Sequence, residues 1–342
     1  MLLSLKNALW IICGALAFTQ VYAGAPDTPG TAARTVAEPA NTVPRANVAT
    51  RDTAYTIPRS SVETLVTKGA RDFRIMVSWP EGRAPIAGWP VMYVLDGNSY
   101  FAMATDMLRN QVCRFPCPLE AGVIVAIGYH ERNRREFDYT PKAPPGPPEM
   151  RLDGTPYPVV EYGGADEFLD FIETDLKPRI EGRFRIDKSR QTLFGHSYGG
   201  LFVLHTLFTR PQAFSTYVAS SPSVWWNNRY IEKEEQAFIK KVNTTPLPRE
   251  TKLLITVGES EQTLLQRELR GSQSEQGNLE WRRGRRRMVD STKEMAERLS
   301  GLSPRNMVVE HRTFEGESHM SVPSVALSSA VTLGFILKPE PK

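Results

Sequence analysis

Residues 193–200 read LFGHSYGG and set Ser197 between Gly195 and Gly199 in a G-x-S-x-G spacing. A serine hydroxyl is a weak nucleophile near neutral pH. It attacks a carbonyl when an imidazole takes its proton and a carboxylate orients that imidazole. The spacing alone also suits a serine in a glycine-rich packing turn, so the rest of the chain must supply the partners. Where such a serine sits on a sharp strand-to-helix turn, the carboxylate and then the imidazole follow it along the chain. Of the five histidines, His130 and His196 precede Ser197, His205 falls in the helical pattern after it, and His311 sits in an apolar strand pattern. His319, in FEGESHMSVP, follows the last strand pattern on a Gly-containing loop and is the candidate base. Two carboxylates follow the strand pattern TKLLITVG. Glu261 is the preferred orienting acid and Glu259 the alternative; a glutamate here also suits the cap of a following helix.

Acyl transfer further needs donors for the oxyanion, each worth roughly 3 kcal/mol. The backbone N–H of Tyr198, next to the serine, is one candidate. The loop after VMYVLDG offers Gly97 or Asn98 as the other, with Asp96 shaping the loop.

These residues must be carried by strands and helices, and the chain alternates between them. Apolar runs at 73–80, 89–97 and 122–129 lack polar alternation, as strands buried on both faces do. Further strands are expected at 190–195, 214–223, 251–260 and 306–314, and helices at 165–180, just after Ser197, at 287–300 and at 322–336. The alternation predicts a doubly wound α/β sheet in one large domain, 53–342. Two segments break it. Residues 131–165 are long and Pro-rich, and a loop of that length is usually functional or disordered. Residues 266–287 are polar and then strongly basic; a solvated helix face is expected for Arg282–Arg287, with substrate steering as the alternative.

The first 23 residues carry Lys6, an apolar run from Ala8 to Phe18 and a Val21-Tyr22-Ala23 site, the pattern of a cleaved export signal. Residues 24–52, rich in Pro, Ala and Thr, read as a flexible leader. Export predicts a periplasmic protein without stable membrane insertion after cleavage, because the apolar run is short for a span. Cys113 and Cys117 then sit in an oxidising compartment, where a short-loop disulfide or two free thiols are both open; two lone cysteines do not make a zinc site. The 342 residues are 41% hydrophobic with a formal charge of +4, which is enough apolar mass for a large core and too mild a charge to call for nucleic acid.

The segments YVLDGNSYF, RRxxDYTP, GGAxxFxxF, GHSYGG, SPSVWW, VGESE and FxGxxHxSVP occur in this order. Together they resemble the α/β-hydrolase family of esterase D, feruloyl esterases and mycolyltransferases. More narrowly they are similar to bacterial siderophore esterases that open the trilactone of enterobactin, salmochelin or bacillibactin. The resemblance spans 53–338 and implies an α/β-hydrolase fold with a mostly parallel sheet. It implies Ser197 and His319 as catalytic, Tyr198 and the Asp96-Gly97 loop at the oxyanion, and no metal or organic cofactor. The identity of the acid varies in that subfamily. A ferric or iron-free catecholate siderophore becomes the expected partner. An anionic, aromatic substrate favours arginines and flat rings at the rim. Arg132, Arg134 and Arg135, after one strand, and Trp225 and Trp226, after another, are the candidates, with core and lid packing the alternative for the tryptophans. Other readings are an exported feruloyl or general acyl esterase, or a siderophore-binding protein of the same fold without activity.

Overall fold

The apolar runs become the middle of a sheet covered on both faces. In the computed structural model, residues 54–337 are described apart from 68, 70, 113–117, 131, 159 and 267. The expected export signal, the leader and the Cys113–Cys117 pair lie outside the described residues. Among these residues the strands β1 (Ser60–Val66), β2 (Asp72–Ser78), β3 (Trp89–Val94), β4 (Val123–Gly128), β5 (Ile186–His196), β6 (Thr216–Ser220), β7 (Thr251–Gly258) and β8 (Met307–Phe314) form one eight-stranded sheet in the order β1-β2-β4-β3-β5-β6-β7-β8. β1 and β2 are antiparallel to their neighbours and the rest are parallel. Every residue of β4 and β6 is buried. β1, at the edge, alternates between half-buried and exposed over most of its length, as a strand with one wet face must.

Helices cover both faces. α1 (Gly97–Gln111) and α10 (Val322–Phe335) pack on the face bearing Met92, Val94, Ala126, Phe194 and Val218. The other face, with Tyr93, Val125, Leu193 and Ala219, is covered by α3 (Ala165–Phe171), α4 (Lys177–Arg183), α5 (Tyr198–Thr209), α7 (Ile231–Thr244) and α9 (Met288–Ser300). Single turns α2 (Arg135–Asp138) and α6 (Trp226–Arg229) and the helix α8 (Gln273–Arg286) complete the order. The helix expected over 165–180 runs on to Arg183. Pro178 brings no N–H, and the turn before it widens into a π segment, Ile172–Leu176, in which Lys177 N–H reaches the Ile172 carbonyl.

The register gathers the candidate residues. Val94 of β3 pairs with Phe194 of β5, His196 with Ser220 of β6, Ser220 with Thr256 of β7, and Gly258 with Phe314 of β8. The carboxyl ends of these five strands therefore lie in a row, the edge at which α/β sheets bind ligands.

Candidate active site

Ser197 stands on the turn between β5 and α5 with φ 60 and ψ −118, a conformation costing roughly 1–3 kcal/mol that a surrounding frame must impose. The frame is local. Ser197 N–H donates to the Ser220 carbonyl at 2.9 Å, and its own carbonyl accepts from Leu201 and Ser223 at 3.0 and 3.1 Å. A Cβ on Gly195 would run into the Gly199 carbonyl, so the close crossing of strand and helix needs glycine there.

The turn brings Ser197 Oγ to 3.1 Å from His319 Nε2, on the loop between β8 and α10. His319 Nδ1 lies 2.6 Å from Glu261 Oε2. Glu261 is buried on a 3-10 turn after β7, and its second oxygen accepts from Ser221 Oγ at 2.5 Å and Gly258 N–H at 2.8 Å. Glu259, two residues earlier, is exposed and accepts from Gly316 N–H at 3.1 Å, which ties down the loop that carries His319. The two carboxylates left open by the sequence thus have different partners: one touches the imidazole and the other its loop. Hydroxyl, imidazole and carboxylate stand in series, able to pass a proton from Oγ to Nε2 while Nδ1–H stays on Glu261.

A second histidine lies beside the first. The His196 ring centroid is 4.5 Å from that of His319, and Tyr100 Oη is 3.3 Å from His196 Nδ1. Burial, then the proximity of His319 and Arg135, push the His196 pKa well below the usual imidazole range, so it packs against His319 as a neutral ring.

Tyr198 and Gly97 are the first residues of α5 and α1, and helices leave their first N–H groups without intrahelical partners. Asp96 adopts a left-handed conformation, φ 51, to turn β3 into α1. The Asn98 side chain is engaged by the backbone: its Nδ2 donates to the Tyr129 carbonyl at 2.9 Å and its Oδ1 accepts from Tyr129 N–H at 2.8 Å, which pins the start of α1 to the residue after β4.

A cavity of about 410 Å³ opens at Ser197 and His319, and Trp225, Met320, Arg282, Arg283 and Arg286 form much of its wall. The arginines expected at the substrate are elsewhere. Arg135 pairs with Asp96, and Arg134 lies against Asp72 and the buried Asp138 with its guanidinium over the Phe73 ring. Arg132 is exposed, and none of the three lines this cavity. Carboxylates and aromatic rings of the fold attract Arg134 and Arg135 inward. The basic tract supplies the cationic wall instead. Arg285 stacks on Trp281, and Arg287 pairs with Asp290 and Glu294, but Arg282, Arg283 and Arg286 reach the cavity. Arg283 is held by Glu268 at 2.7 and 2.9 Å, and Arg286 by Glu149 while lying 4.0 Å from the Trp225 ring centre. Arg282 has no ion pair among the described residues. α8 has no apolar period to reveal it. Its signal is Ser272 with Glu275, a capping box in which Ser272 Oγ accepts from Glu275 N–H at 3.3 Å. Trp226 is buried in the core, whereas Trp225 is half-buried at the cavity.

Residues 68–294 match the model of the family named Esterase. The chain belongs to this esterase family. Among curated proteins, the esterase is 40% identical to the ferri-bacillibactin esterase BesA of Bacillus subtilis, over 84% of this chain and 92% of that one. It is 36% identical to the siderophore triacetylfusarinine C esterase of Aspergillus fumigatus, over 83% and 96%. Among solved structures, it is similar to the siderophore hydrolase EstA from Aspergillus nidulans, with a TM-score of 0.71 and 32% identity over 83% of this chain and 98% of that one. Its fold is therefore that of the α/β-hydrolases.

Proposed function

We propose that this esterase opens the lactone ester bonds of a catecholate siderophore, ferric or iron-free, by serine chemistry. The observation that carries the reading is the Ser197–His319–Glu261 series, with Oγ to Nε2 at 3.1 Å and Nδ1 to Oε2 at 2.6 Å, opening on a cavity with an arginine wall. Ser197 Oγ attacks the ester carbonyl and its proton passes to His319 Nε2. The oxyanion is received by the N–H groups of Tyr198 and of Gly97 or Asn98. His319 then protonates the departing alkoxide, leaving an acyl-serine. Water gives its proton to His319, attacks the acyl carbon and releases the carboxylic acid with Ser197 restored. Glu261 holds the imidazole tautomer and balances its charge in the transition state. Iron, where present, arrives with the substrate.

The relatives named for ferri-bacillibactin and triacetylfusarinine C support a siderophore ester as substrate, and a cationic wall suits a ferric tris-catecholate or its phenolates. The N-terminal pattern of residues 1–23 supports export, with the mature chain acting in the periplasm. The test is mass spectrometry of products from ferric and iron-free enterobactin, with Ser197→Ala as control. Ring-opened trimer or smaller fragments from the wild type alone are expected. Cleavage of simple aryl esters with intact enterobactin would instead make the protein a general acyl or feruloyl esterase. Binding of siderophore without products or fluorophosphonate labelling of Ser197 would make it a carrier.

A further inference from the structure

A second cavity, of about 480 Å³, adjoins the one at Ser197, and Trp225 borders both. Its walls come from the Pro-rich segment that broke the α/β alternation: Pro144, Pro147 and Pro158 with Tyr157 and Tyr162, closed by Trp226. The two cavities differ in chemistry. Three arginines of α8 line the first, whereas the second has Lys142 and Glu149 as its charged residues, and Glu149 is engaged by Arg286.

The shape of this chamber is held against strain. Asn227, Asn228 and Arg229 have φ 47, 54 and 63, three successive left-handed residues without a glycine among them. Such positions cost roughly 1–3 kcal/mol each and gather at ligand clamps and active sites. Here Asn227 Nδ2 donates to the Pro144 carbonyl at 3.0 Å, and Arg229 donates to Ser291 Oγ at 2.9 Å and pairs with Glu232. A Cβ on Gly146 would run into the Asn227 side-chain oxygen, so a larger residue there would have to displace the side chain that bonds Pro144. Proline rings fix their own φ, and the wall is stiff before any ligand arrives.

We propose that this chamber is a binding site for a flat, uncharged aromatic ring carried by the same substrate whose ester lies at Ser197. Tyr162 and Trp226 meet edge to face at 5.5 Å and both line the chamber, so its wall offers aromatic surface to a further ring. The volume falls in the range of ligand pockets, and continuity through Trp225 puts the ring one indole away from the scissile bond. Only the link to a substrate rests on the esterase reading; the chamber's affinity for an aromatic ring does not.

Two measurements test it. In the first, 4-fluorobenzamide is titrated into the protein and followed by fluorine NMR. Saturable binding is expected, weakened about tenfold by Tyr162→Ala and by Ala143→Trp, which fills the chamber. Thermal unfolding checks that both variants fold. Absence of saturable binding, or wild-type affinity in the variant that folds, overturns the proposal. In the second, two esters share one scissile bond and differ in a benzoyl arm. Each variant should raise KM about tenfold for the armed ester while kcat is held. Equal effects on both esters overturn the link to the substrate. If the wild type cleaves neither ester, the esterase reading falls, and the titration alone still decides the chamber.

Discussion

Arg135 grips Asp96 with two parallel hydrogen bonds, from Nε to Oδ1 at 3.1 Å and from Nη2 to Oδ2 at 3.2 Å. The same Nη2 reaches the His196 carbonyl at 3.3 Å, so one guanidinium joins the loop leaving β3 to the turn leaving β5. Burial opposes the charge, but Asp96 more than offsets it and holds the guanidinium pKa above its ordinary value. The contact sets the spacing between the two helix starts, Gly97 and Tyr198, proposed above as the oxyanion donors. Lysine cannot reproduce a fork. Arg135→Lys should lower kcat about tenfold or more with little change in KM, because oxyanion donors act in the transition state. Steady-state kinetics on a soluble ester check this, and Arg134→Lys serves as the comparison.

Glu261 and Glu259 should separate by more than their spacing suggests. Glu261→Gln should cost about 10²-fold to 10⁴-fold in kcat, since the imidazole loses the charge that fixes its tautomer. Glu261→Ala adds a fold defect of about 2 kcal/mol, because Ser221 Oγ and Gly258 N–H lose a buried acceptor. Glu259→Gln keeps an acceptor for Gly316 N–H and should change kcat by less than about threefold. Single-turnover kinetics and urea unfolding read the two effects apart.

Away from the site, His205 links stability to pH. It is buried on α5 with Nδ1 2.8 Å from Glu234 and Nε2 3.3 Å from Asp166. Burial lowers its pKa, and the two carboxylates outweigh burial, raising it from 6.5 to about 9. The folded state therefore binds the proton more tightly than the unfolded chain. The stabilisation is fully present below about pH 6.5 and is lost as pH rises through about 9. His205→Gln should be about 2 kcal/mol less stable at pH 6, with the gap closing by pH 9 to 10. Urea unfolding at a series of pH values checks the sign.

Arg282, without an ion pair among the described residues, is proposed as the arginine of the cavity wall whose charge acts on a ligand. Arg282→Gln should raise KM about tenfold for an anionic ester and leave a neutral ester within about twofold. Arg285→Gln, on the same helix but stacked on Trp281, should change neither. The anionic effect should shrink as salt is added.

How far the sequence could be read depends on how local each signal is. The apolar runs announced buried strands because both faces of the sheet are covered, and the turn at Ser197 was legible because its glycines and serine lie within five residues. His319 followed from chain order. The choice between Glu259 and Glu261 was not local. It turns on a 3-10 turn and on Gly316, 57 residues further on. The pairing of Arg135 with Asp96, 39 residues earlier, was not legible either, because no spacing rule reports it. α1 and α7 were not identified, and of α8 only the basic end, Arg282–Arg287, was read as a helix face. For α8 the reason is physical: none of its residues is buried, so there is no apolar stripe to find.

That last property reaches beyond prediction. α8 stands on ion pairs to Glu268 and Glu149 and on a cap, not on the hydrophobic core. Substitutions along it should therefore carry little folding penalty, whereas changes at the buried strand ends beside Ser197 should carry more. On the function proposed above, the wall that meets the ligand can change along α8 while the surroundings of Ser197 stay constant. A lineage built on this fold can take up chemically new esters without passing through unfolded intermediates.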